Sequence, residues 1–215
     1  MKAFVTVCFV GWLFCAQGQL PANPPAKAGP PVETIVCVRH GEKPADGLGQ
    51  LTCRGLNRAL ALPDVLLAKY GAPQFVFAPS TTQKKDKGTN YNYIRPLMTI
   101  EPTAVRVGLP VNTQFAYDDI KDLEAELQKP QYEGATVFVA WEHDMLDDFA
   151  KDLVQTYRSD AKVPPWDGTD FDSIFVMKIT HDGGHATLNF SVDHEGLNNE
   201  SDDCPGSGKG ANTGK

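Results

Sequence analysis

The sequence predicts an α/β domain with a mostly parallel sheet and helices on both of its faces. Three short segments rich in β-branched and apolar residues are typical of buried strands, and segments with helical spacing of apolar residues separate them. Strands that alternate with helices in this way favour parallel pairing. Two further strand-like segments, 173–180 and 185–192, are joined through Asp182-Gly183-Gly184, which predicts an antiparallel hairpin late in the chain.

The predicted elements follow one another from Thr34 onward. The predicted strands are residues 34–38, 75–78 and 136–140, with a shorter one after Pro110. The predicted helices are residues 56–67, 95–107, 118–128 and 145–157. Proline disrupts a helix interior, so Pro63 predicts a kink or two short helices, and Pro102 divides the second helix. Residues 81–93 are predicted to form a long polar loop, which is either a solvated surface or a substrate lid.

Length, composition and charge restrict the function. A chain of 215 residues with 41% hydrophobic residues suits one α/β domain with a full core. The net charge of −7 argues against a nucleic-acid partner, because such proteins usually present a basic face. A small anionic substrate stays compatible with this charge, since a local cluster of arginines can bind one.

Both ends of the chain differ in composition from the predicted domain, residues 33–197. Residues 1–18 resemble a secretory signal peptide, with Lys2, an apolar stretch and a small-x-small cleavage site at Ala16-Gln17-Gly18. Residues 19–32 are rich in proline and alanine and predict an extended linker. Residues 198–215 are polar and glycine-rich, and we expect them to be disordered. The predicted location is secreted or periplasmic, with no membrane attachment after cleavage.

Three cysteines remain after removal of the predicted signal peptide: Cys37, Cys53 and Cys204. An odd number leaves at least one free thiol or an intermolecular bond. Export would permit a disulfide. The spacing leaves the pairing open, and no cysteines are spaced as metal ligands.

Polar side chains follow two of the predicted strands at the point where each ends. Arg39 and His40 follow the first strand, and His143 follows the strand 136–140. If these strands are parallel, both histidines lie at the same edge of the sheet, where open α/β proteins bind their ligands. Gly41 lets the backbone turn sharply at this point. Arg95 opens the second helix near the same edge.

Two arginines and two imidazoles at one edge predict a pocket for a dianion. Guanidinium groups match phosphate oxygens bidentately, which suits Arg39 and Arg95 to such a pocket. Neutral imidazole can act as a nucleophile, and His40 is the predicted one.

Three segments resemble motifs of the histidine phosphatase superfamily. Val36-Cys37-Val38-Arg39-His40-Gly41-Glu42-Lys43 resembles its defining motif. The segment that begins Arg95-Pro96-Leu97 is similar to the family's second arginine and its helix. Val137-Phe138-Val139-Ala140-Trp141-Glu142-His143 resembles the strand and second histidine. The resemblance covers residues 34–180, and the motifs occur in the family's order.

The resemblance implies a phosphoglycerate mutase-like fold and a phosphomonoester hydrolase that needs no metal and no organic cofactor. His40 would attack phosphorus and carry the phosphoryl group as a phosphohistidine. Arg39, Arg95 and His143 would bind the phosphoryl oxygens, and Gly41 belongs to the predicted substrate-binding residues. The partner would be a small phosphorylated molecule whose class the sequence leaves open.

Two assignments within this resemblance stay open. The family's second arginine usually follows closely on a strand-end serine, whereas a long loop separates Ser80 from Arg95. Arg106 is therefore the alternative, although its position late in the helix favours a surface location.

The same pocket would also suit two other functions. A binding module would recognise a phosphorylated ligand without turnover, and a phosphomutase would return the phosphoryl group to the product.

The general acid is the second open assignment. Asp144 follows His143, and this pair resembles the His-Asp pair of the acid phosphatase branch, whose aspartate donates the proton. Its structural alternative is an N-cap of the helix predicted to begin at Met145. Glu142 ranks second, because strand alternation would point it away from His143. Asp118, at the start of the preceding helix, ranks third.

Overall fold

The computed structural model describes residues 29–86 and 89–207. The predicted signal peptide and most of the predicted linker lie outside the described residues. The strands, labelled β1 to β8 in chain order, are Val32–Arg39, Phe75–Phe77, Gln83–Asp86, Thr89–Asn92, Val111–Asn112, Thr136–Trp141, Ser173–Asp182 and His185–His194. The α-helices, α1 to α4, are Cys53–Tyr70, Arg95–Val107, Ile120–Leu127 and His143–Thr156.

Six of the strands form one sheet in the order β5-β2-β6-β1-β7-β8. The strands β5, β2, β6 and β1 run parallel, and β7 pairs antiparallel with β1 and with β8. The predicted mostly parallel sheet with a late hairpin is therefore confirmed. The register of β1 with β6 sets Arg39 opposite Trp141. The residues that follow these two strands consequently meet at one edge of the sheet.

The side chains of β1 alternate between two apolar layers, one on each face of the sheet. Val36 and Val38 belong to the layer that contains Leu62 and Leu66 of α1 and Ile100 of α2. Ile35 and Cys37 belong to the layer that contains Leu123 of α3 and Phe149 of α4. Helices therefore cover both faces, as predicted. A strand buried on both faces is apolar throughout, which is why β1 and β6 were recognisable in the sequence.

Neither proline interrupts its helix, so the alternative of two short helices around Pro63 and the predicted division of α2 at Pro102 are wrong. Pro63 and Pro102 lie inside continuous helices. Proline removes one intrahelical hydrogen bond, but Leu62 and Leu66 on either side of Pro63 are fully buried. Packing of this apolar stripe outweighs the lost bond. None of the four helices in the described ranges is long and apolar enough to span a membrane.

The predicted polar loop 81–93 contains a second, two-stranded sheet. The strands β3 and β4 pair antiparallel, from Gln83 opposite Asn92 to Asp86 opposite Thr89. Their sequences, QKKD and TNYN, lack the alternation of apolar and polar residues that marks a half-buried strand. Lys84 and Lys85 of the predicted cationic loop lie in β3, whereas Lys87 lies outside the described residues.

The C-terminal segment 198–207 is held against α1, contrary to the expectation of disorder. A disulfide joins Cys204 to Cys53 in the first turn of the helix. The side-chain amide of Asn57 donates to the carbonyl oxygens of Ser201 and Asp203, both at 2.8 Å. Residues 208–215 lie outside the described part of the chain. The spacing of polar and glycine residues could not reveal that a distant cysteine anchors the segment.

Cys37 is the free cysteine of the described residues. It lies in the central strand β1 with 1% of its surface exposed. Burial raises the pKa of its thiol, so the group stays protonated and unreactive in the folded protein. The pairing that the sequence left open is thus Cys53 with Cys204.

Candidate active site

His40 lies at the end of β1 and is 1% exposed. Its backbone N–H donates to the carbonyl oxygen of Trp141 at 3.0 Å, which joins the ends of β1 and β6. In the imidazole, Nδ1 lies 2.8 Å from the carbonyl oxygen of Gly41, and Nε2 lies 3.1 Å from Nε of Arg95. Arginine can only donate, so Nε2 accepts and the ring proton sits on Nδ1.

The electrostatic surroundings keep His40 neutral. Burial is the largest cause that lowers the pKa of His40 well below its ordinary value, and the positive charge of Arg95 is the next. Arg39 and Lys43 add to the effect, and the hydrogen bond to Gly41 opposes it. The result is a neutral imidazole with its lone pair on Nε2, which is the form that a nucleophile requires.

Arg39 is 1% exposed and is anchored through one of its terminal nitrogens. Its Nη1 donates to the carbonyl oxygens of Gly168 at 2.9 Å and Asp170 at 2.8 Å. The ring of Phe171 covers the guanidinium, with Cζ 3.9 Å from the ring centroid. The Nε atom is buried and has no hydrogen-bond partner among the residues the structure describes. The Nε–H group of Arg39 is thus available to a ligand.

Arg95 is held through its backbone N–H and its Nε atom, whereas Arg39 is held through Nη1. It begins α2, and its backbone N–H donates to the carbonyl oxygen of Gly49 at 2.8 Å. Its Nε donates to His40, and its Cζ lies 4.5 Å from the ring centroid of Tyr93. Its Nη1 is buried and without a hydrogen-bond partner within the described ranges. Arg106, the alternative, is half-exposed and pairs with Asp64 on the surface, so Arg95 is the arginine beside His40.

Two buried guanidinium groups with an unmet N–H each make this edge of the sheet a candidate anion site. Buried polar atoms of proteins are almost always hydrogen-bonded, and exceptions mark a missing ion, water or ligand. A guanidinium N–H forms its strongest hydrogen bonds with phosphate and carboxylate oxygens. The unmet donors are Nε of Arg39 and Nη1 of Arg95. They belong to the two arginines whose charges act on His40.

His143 and Glu142 lie at the start of α4, beside the anion site. The Nδ1 atom of His143 is 2.6 Å from Oε1 of Glu142, although the angle of this contact is not that of a hydrogen bond. The Oε2 atom of Glu142 accepts from the backbone N–H groups of Asp144 at 3.0 Å and Met145 at 3.3 Å. Glu142 is therefore the N-cap of α4. The alternative that made Asp144 the cap is wrong, because the helix begins two residues earlier than predicted.

Asp144 lies at the rim of the site. Its side chain is 74% exposed, and its Oδ1 is 3.5 Å from Nε2 of His143. Asp118, the third choice for the acid, lies before α3, and no contact between it and His40 is seen among the described residues.

Glu142, His143 and Asp144 also form the one group within the described ranges whose atoms could hold a metal ion, since they lie within 4.8 Å of one another.

Gly41 has a packing role in the structure. Its backbone N–H donates to Oγ1 of Thr99 at 3.0 Å. A Cβ atom at Gly41 would lie 2.9 Å from the carbonyl oxygen of Gly55 in α1. The close approach of the two backbones, not a sharp turn, is therefore what requires glycine here. Its N–H is already bonded to Thr99, and the binding of substrate by Gly41 stays a prediction.

Three residues of the site have no signal in the sequence. Tyr93 and Phe171 cover the two guanidinium groups, and a Cβ atom at Gly168 would lie 3.4 Å from Nε2 of His143. Each lies outside the helices and strands, so the periodicity of apolar residues does not predict its position. The position of Tyr93, two residues before the motif arginine Arg95, is the one feature of the sequence that could have suggested its place in the site.

Solved structures with this fold are similar to the chain over most of its length. A candidate phosphohistidine phosphatase SixA from Nakamurella multipartitia is 19% identical, with a TM-score of 0.51, and the match covers 78% of this chain and 98% of that one. A mycobacterial glucosyl-3-phosphoglycerate phosphatase is 13% identical, with a TM-score of 0.50, and the match covers 74% and 97%. No protein-family model matches the sequence, and neither does any curated protein.

At these identities the likeness concerns the fold. It confirms the phosphoglycerate mutase-like α/β fold that was predicted from the sequence. The chemistry rests on the geometry of His40, Arg39 and Arg95.

Proposed function

We propose that the protein is an exported phosphomonoester hydrolase that acts through a phosphohistidine at His40. The observation that carries the proposal is the buried, neutral imidazole whose Nε2 lone pair faces Arg95, with Arg39 close enough for its charge to act on the ring, and each arginine has an unmet N–H. Cations aimed at the charge that develops on phosphorus stabilise phosphoryl transfer, and losing one such donor typically costs about a hundredfold in rate. The two structures of the same fold named above are also described as phosphatases.

In the first step, Nε2 of His40 attacks phosphorus, and the bond from phosphorus to the ester oxygen breaks. The hydrogen bond from Arg95 to Nε2 is released in this step, so that Nε of Arg95 turns to a phosphoryl oxygen. Arg39 offers its Nε to a second oxygen. His143, whose Nδ1 lies 2.6 Å from Oε1 of Glu142, donates an Nε2–H to a third.

The leaving alkoxide takes a proton from a carboxylic acid, for which Asp144 is the proposed donor. Its carboxyl group is near Nε2 of His143 and open to solvent. Both oxygens of Glu142 already have partners, in His143 and in two backbone N–H groups. In the second step, water loses a proton to the same carboxylate and attacks the phosphohistidine. Inorganic phosphate leaves, and the lone pair returns to Nε2.

Export is the second part of the proposal. The predicted signal peptide supports it, and so does the disulfide between Cys53 and Cys204, because disulfides persist in oxidising compartments. The test is the fate of the full-length chain in a secreting host. A mature protein that begins after residue 18 and lies outside the cytoplasm is the expected result, and an uncleaved cytoplasmic protein would contradict it.

The phosphohistidine is tested by trapping it. We expect wild-type protein to take up label from a ³²P-labelled phosphomonoester in an acid-labile, base-stable form, and His40→Ala to take up none. His185→Ala is the matched control, because His185 is exposed at the start of β8. Equal labelling of the wild type and His40→Ala would overturn the assignment. Ligand binding without any release of phosphate would instead indicate a binding module.

A further inference from the structure

We infer that residues 166–171, here called the Arg39 clamp, are a positioning element that sets the affinity of the site for the phosphoryl group. Phe171 is the side chain through which the clamp acts on Arg39. The inference rests on the proposed function in one respect, namely that the anion bound beside His40 is a phosphoryl group. It adds a part to the site that lies outside all three sequence motifs.

Backbone carbonyl oxygens of the clamp accept the hydrogen bonds of one terminal nitrogen of Arg39, Nη1. The carbonyl oxygens of Gly168 and Asp170 lie 2.9 and 2.8 Å from Nη1, and that of Asp167 lies 3.5 Å away. Since Nη1 carries only two hydrogens, these oxygens satisfy it completely. Arg39 cannot turn this nitrogen to a ligand without leaving the clamp. The clamp does not use Nε, which is buried and unmet among the described residues, and so leaves it as a donor for the anion.

Phe171 fixes the plane of the same guanidinium. Its ring lies 3.9 Å from Cζ of Arg39, and its centroid lies 6.3 Å from that of the His40 ring. One side chain thus adjoins both the arginine and the nucleophile. A cation stacked on an aromatic face is held in position without loss of a hydrogen-bond donor. Arg39 therefore presents its free edge in one orientation before any ligand arrives.

The clamp is fixed independently of Arg39. The indole N–H of Trp166 donates to the carbonyl oxygen of Asp170 at 3.1 Å, and the Trp166 ring packs on Phe175 with centroids 4.2 Å apart. The carboxylate of Asp170 accepts from the backbone N–H groups of Asp172 at 2.8 Å and Ser173 at 3.0 Å. Loss of the Phe171 ring leaves these bonds intact. The guanidinium then loses its stacking partner while the segment keeps its path.

Because the Phe171 ring orients Arg39 while other bonds hold the segment, a substitution of Phe171 should change some measurements and leave others unchanged. An arginine ordered in advance lowers the cost of binding, so freeing it weakens the complex. Phe171→Leu should weaken the binding of inorganic phosphate by about tenfold, as expected for a desolvated cation–π contact. It should reduce kcat/KM by a similar factor. The dependence of the rate on the leaving group should stay unchanged, because the clamp does not contact Asp144.

The matched control is Phe190→Leu. Phe190 is also half-buried, and it contacts Phe175 edge-on at 5.0 Å on the same sheet. We expect both leucine variants to lower the melting temperature, but only Phe171→Leu to weaken phosphate binding in calorimetry. Phe171→Tyr, which keeps the ring face, should restore the affinity.

Direct binding of phosphate separates this inference from the proposed function. If the wild type binds phosphate without hydrolysing esters and Phe171→Leu binds it weakly, the clamp stands and the hydrolase proposal fails. If the enzyme is active but Phe171→Leu binds phosphate as tightly as the wild type, the clamp inference is overturned. Equal weakening by Phe190→Leu would overturn it as well, and a wild type that binds no phosphate would overturn both.

Discussion

His40 must remain neutral to act, and its surroundings make this so even in mildly acidic solution. Burial and the charge of Arg95 lower the pKa of His40 well below its ordinary value. The nucleophilic form therefore persists as the pH falls through about 6.5, where an ordinary histidine gains its proton. We expect the rate of phosphoenzyme formation to show no acid limb attributable to His40 near pH 6.5.

Rapid-quench labelling across pH 5 to 7, together with an NMR titration of the imidazole, measures this behaviour. Parallel loss of rate and protonation of His40 near pH 6.5 would contradict the prediction. The same shift acts on stability. The unfolded chain binds a proton at this position below about pH 6.5 and the folded chain does not, so the free energy of unfolding falls as the solution becomes more acidic.

Asp144 and Glu142 are distinguished by the leaving group. Asp144→Asn should slow the hydrolysis of an alkyl phosphate by roughly a hundredfold or more, because an alkoxide needs a proton to leave. It should slow a nitrophenyl ester far less, since that leaving group is stable without one. Parallel rate measurements on the two esters test this. Glu142→Gln serves as the comparison, and we expect it to slow both esters together through loss of the contact with His143.

If Glu142→Gln instead shows the selective loss with the alkyl ester, Glu142 is the acid and Asp144 is a residue of the rim.

At the scale of the element, β1 carries an acidic group inside the fold. Glu33 is 1% exposed, and its Oε1 has no hydrogen-bond partner within the described part of the chain. Its other oxygen lies 3.5 Å from Nε2 of His181. Burial, followed by the negative charge of Glu133, raises the pKa of Glu33 to about 8. The folded protein therefore holds a proton here that the unfolded chain loses above about pH 4.5.

The consequence is a stability that declines as the pH rises from about 5 to about 8. In this window the folded state binds more protons at Glu33 than the unfolded state, so the free energy of unfolding falls by an amount on the order of a few kcal/mol. Glu33→Gln should remove most of this decline, as measured by urea unfolding at several pH values. Glu101→Gln, an exposed change on α2, is the control. An unchanged decline in Glu33→Gln would contradict the assignment.

Elements differ in how far the sequence predicts them. The strands β1 and β6 and the hairpin of β7 and β8 follow from composition and turn chemistry, and the motifs at their ends predicted His40, Arg95 and His143. The hairpin of β3 and β4 was missed because the sequences of these strands, QKKD and TNYN, have no alternation of apolar and polar residues. The role of Glu142 was missed because the start of α4 is fixed by a cap, and helix ends are the least predictable positions.

At the scale of the whole molecule, the disulfide joins the start of α1 to the C-terminal segment 198–207. Cys53 and Cys204 are 151 residues apart, so the bond removes much conformational freedom from the unfolded chain. We expect Cys204→Ser to lower the free energy of unfolding by about 2–5 kcal/mol, the usual cost of losing a native disulfide. Denaturant unfolding with and without reductant measures the effect, and reductant should change the wild type alone.

Asp202→Asn is the control for the disulfide. It removes the exposed ion pair between Asp202 of the same segment and Arg54 of α1, and the free energy of unfolding should stay nearly unchanged because exposed ion pairs contribute little. A wild type whose unfolding midpoint is insensitive to reductant would show that the segment is held by its hydrogen bonds rather than by the disulfide.

Cys37 lies in the same central strand as the nucleophile, three residues before it, and its thiol is shielded from solvent. In a chain without residues 1–18, it is also the one cysteine that the disulfide leaves unpaired. A thiol reagent can therefore modify this protein at one position, and only while the middle of the sheet is open. The modification rate at increasing reagent concentration gives the frequency of that opening, so the protein carries a natural probe of its native-state fluctuations in the strand that holds His40.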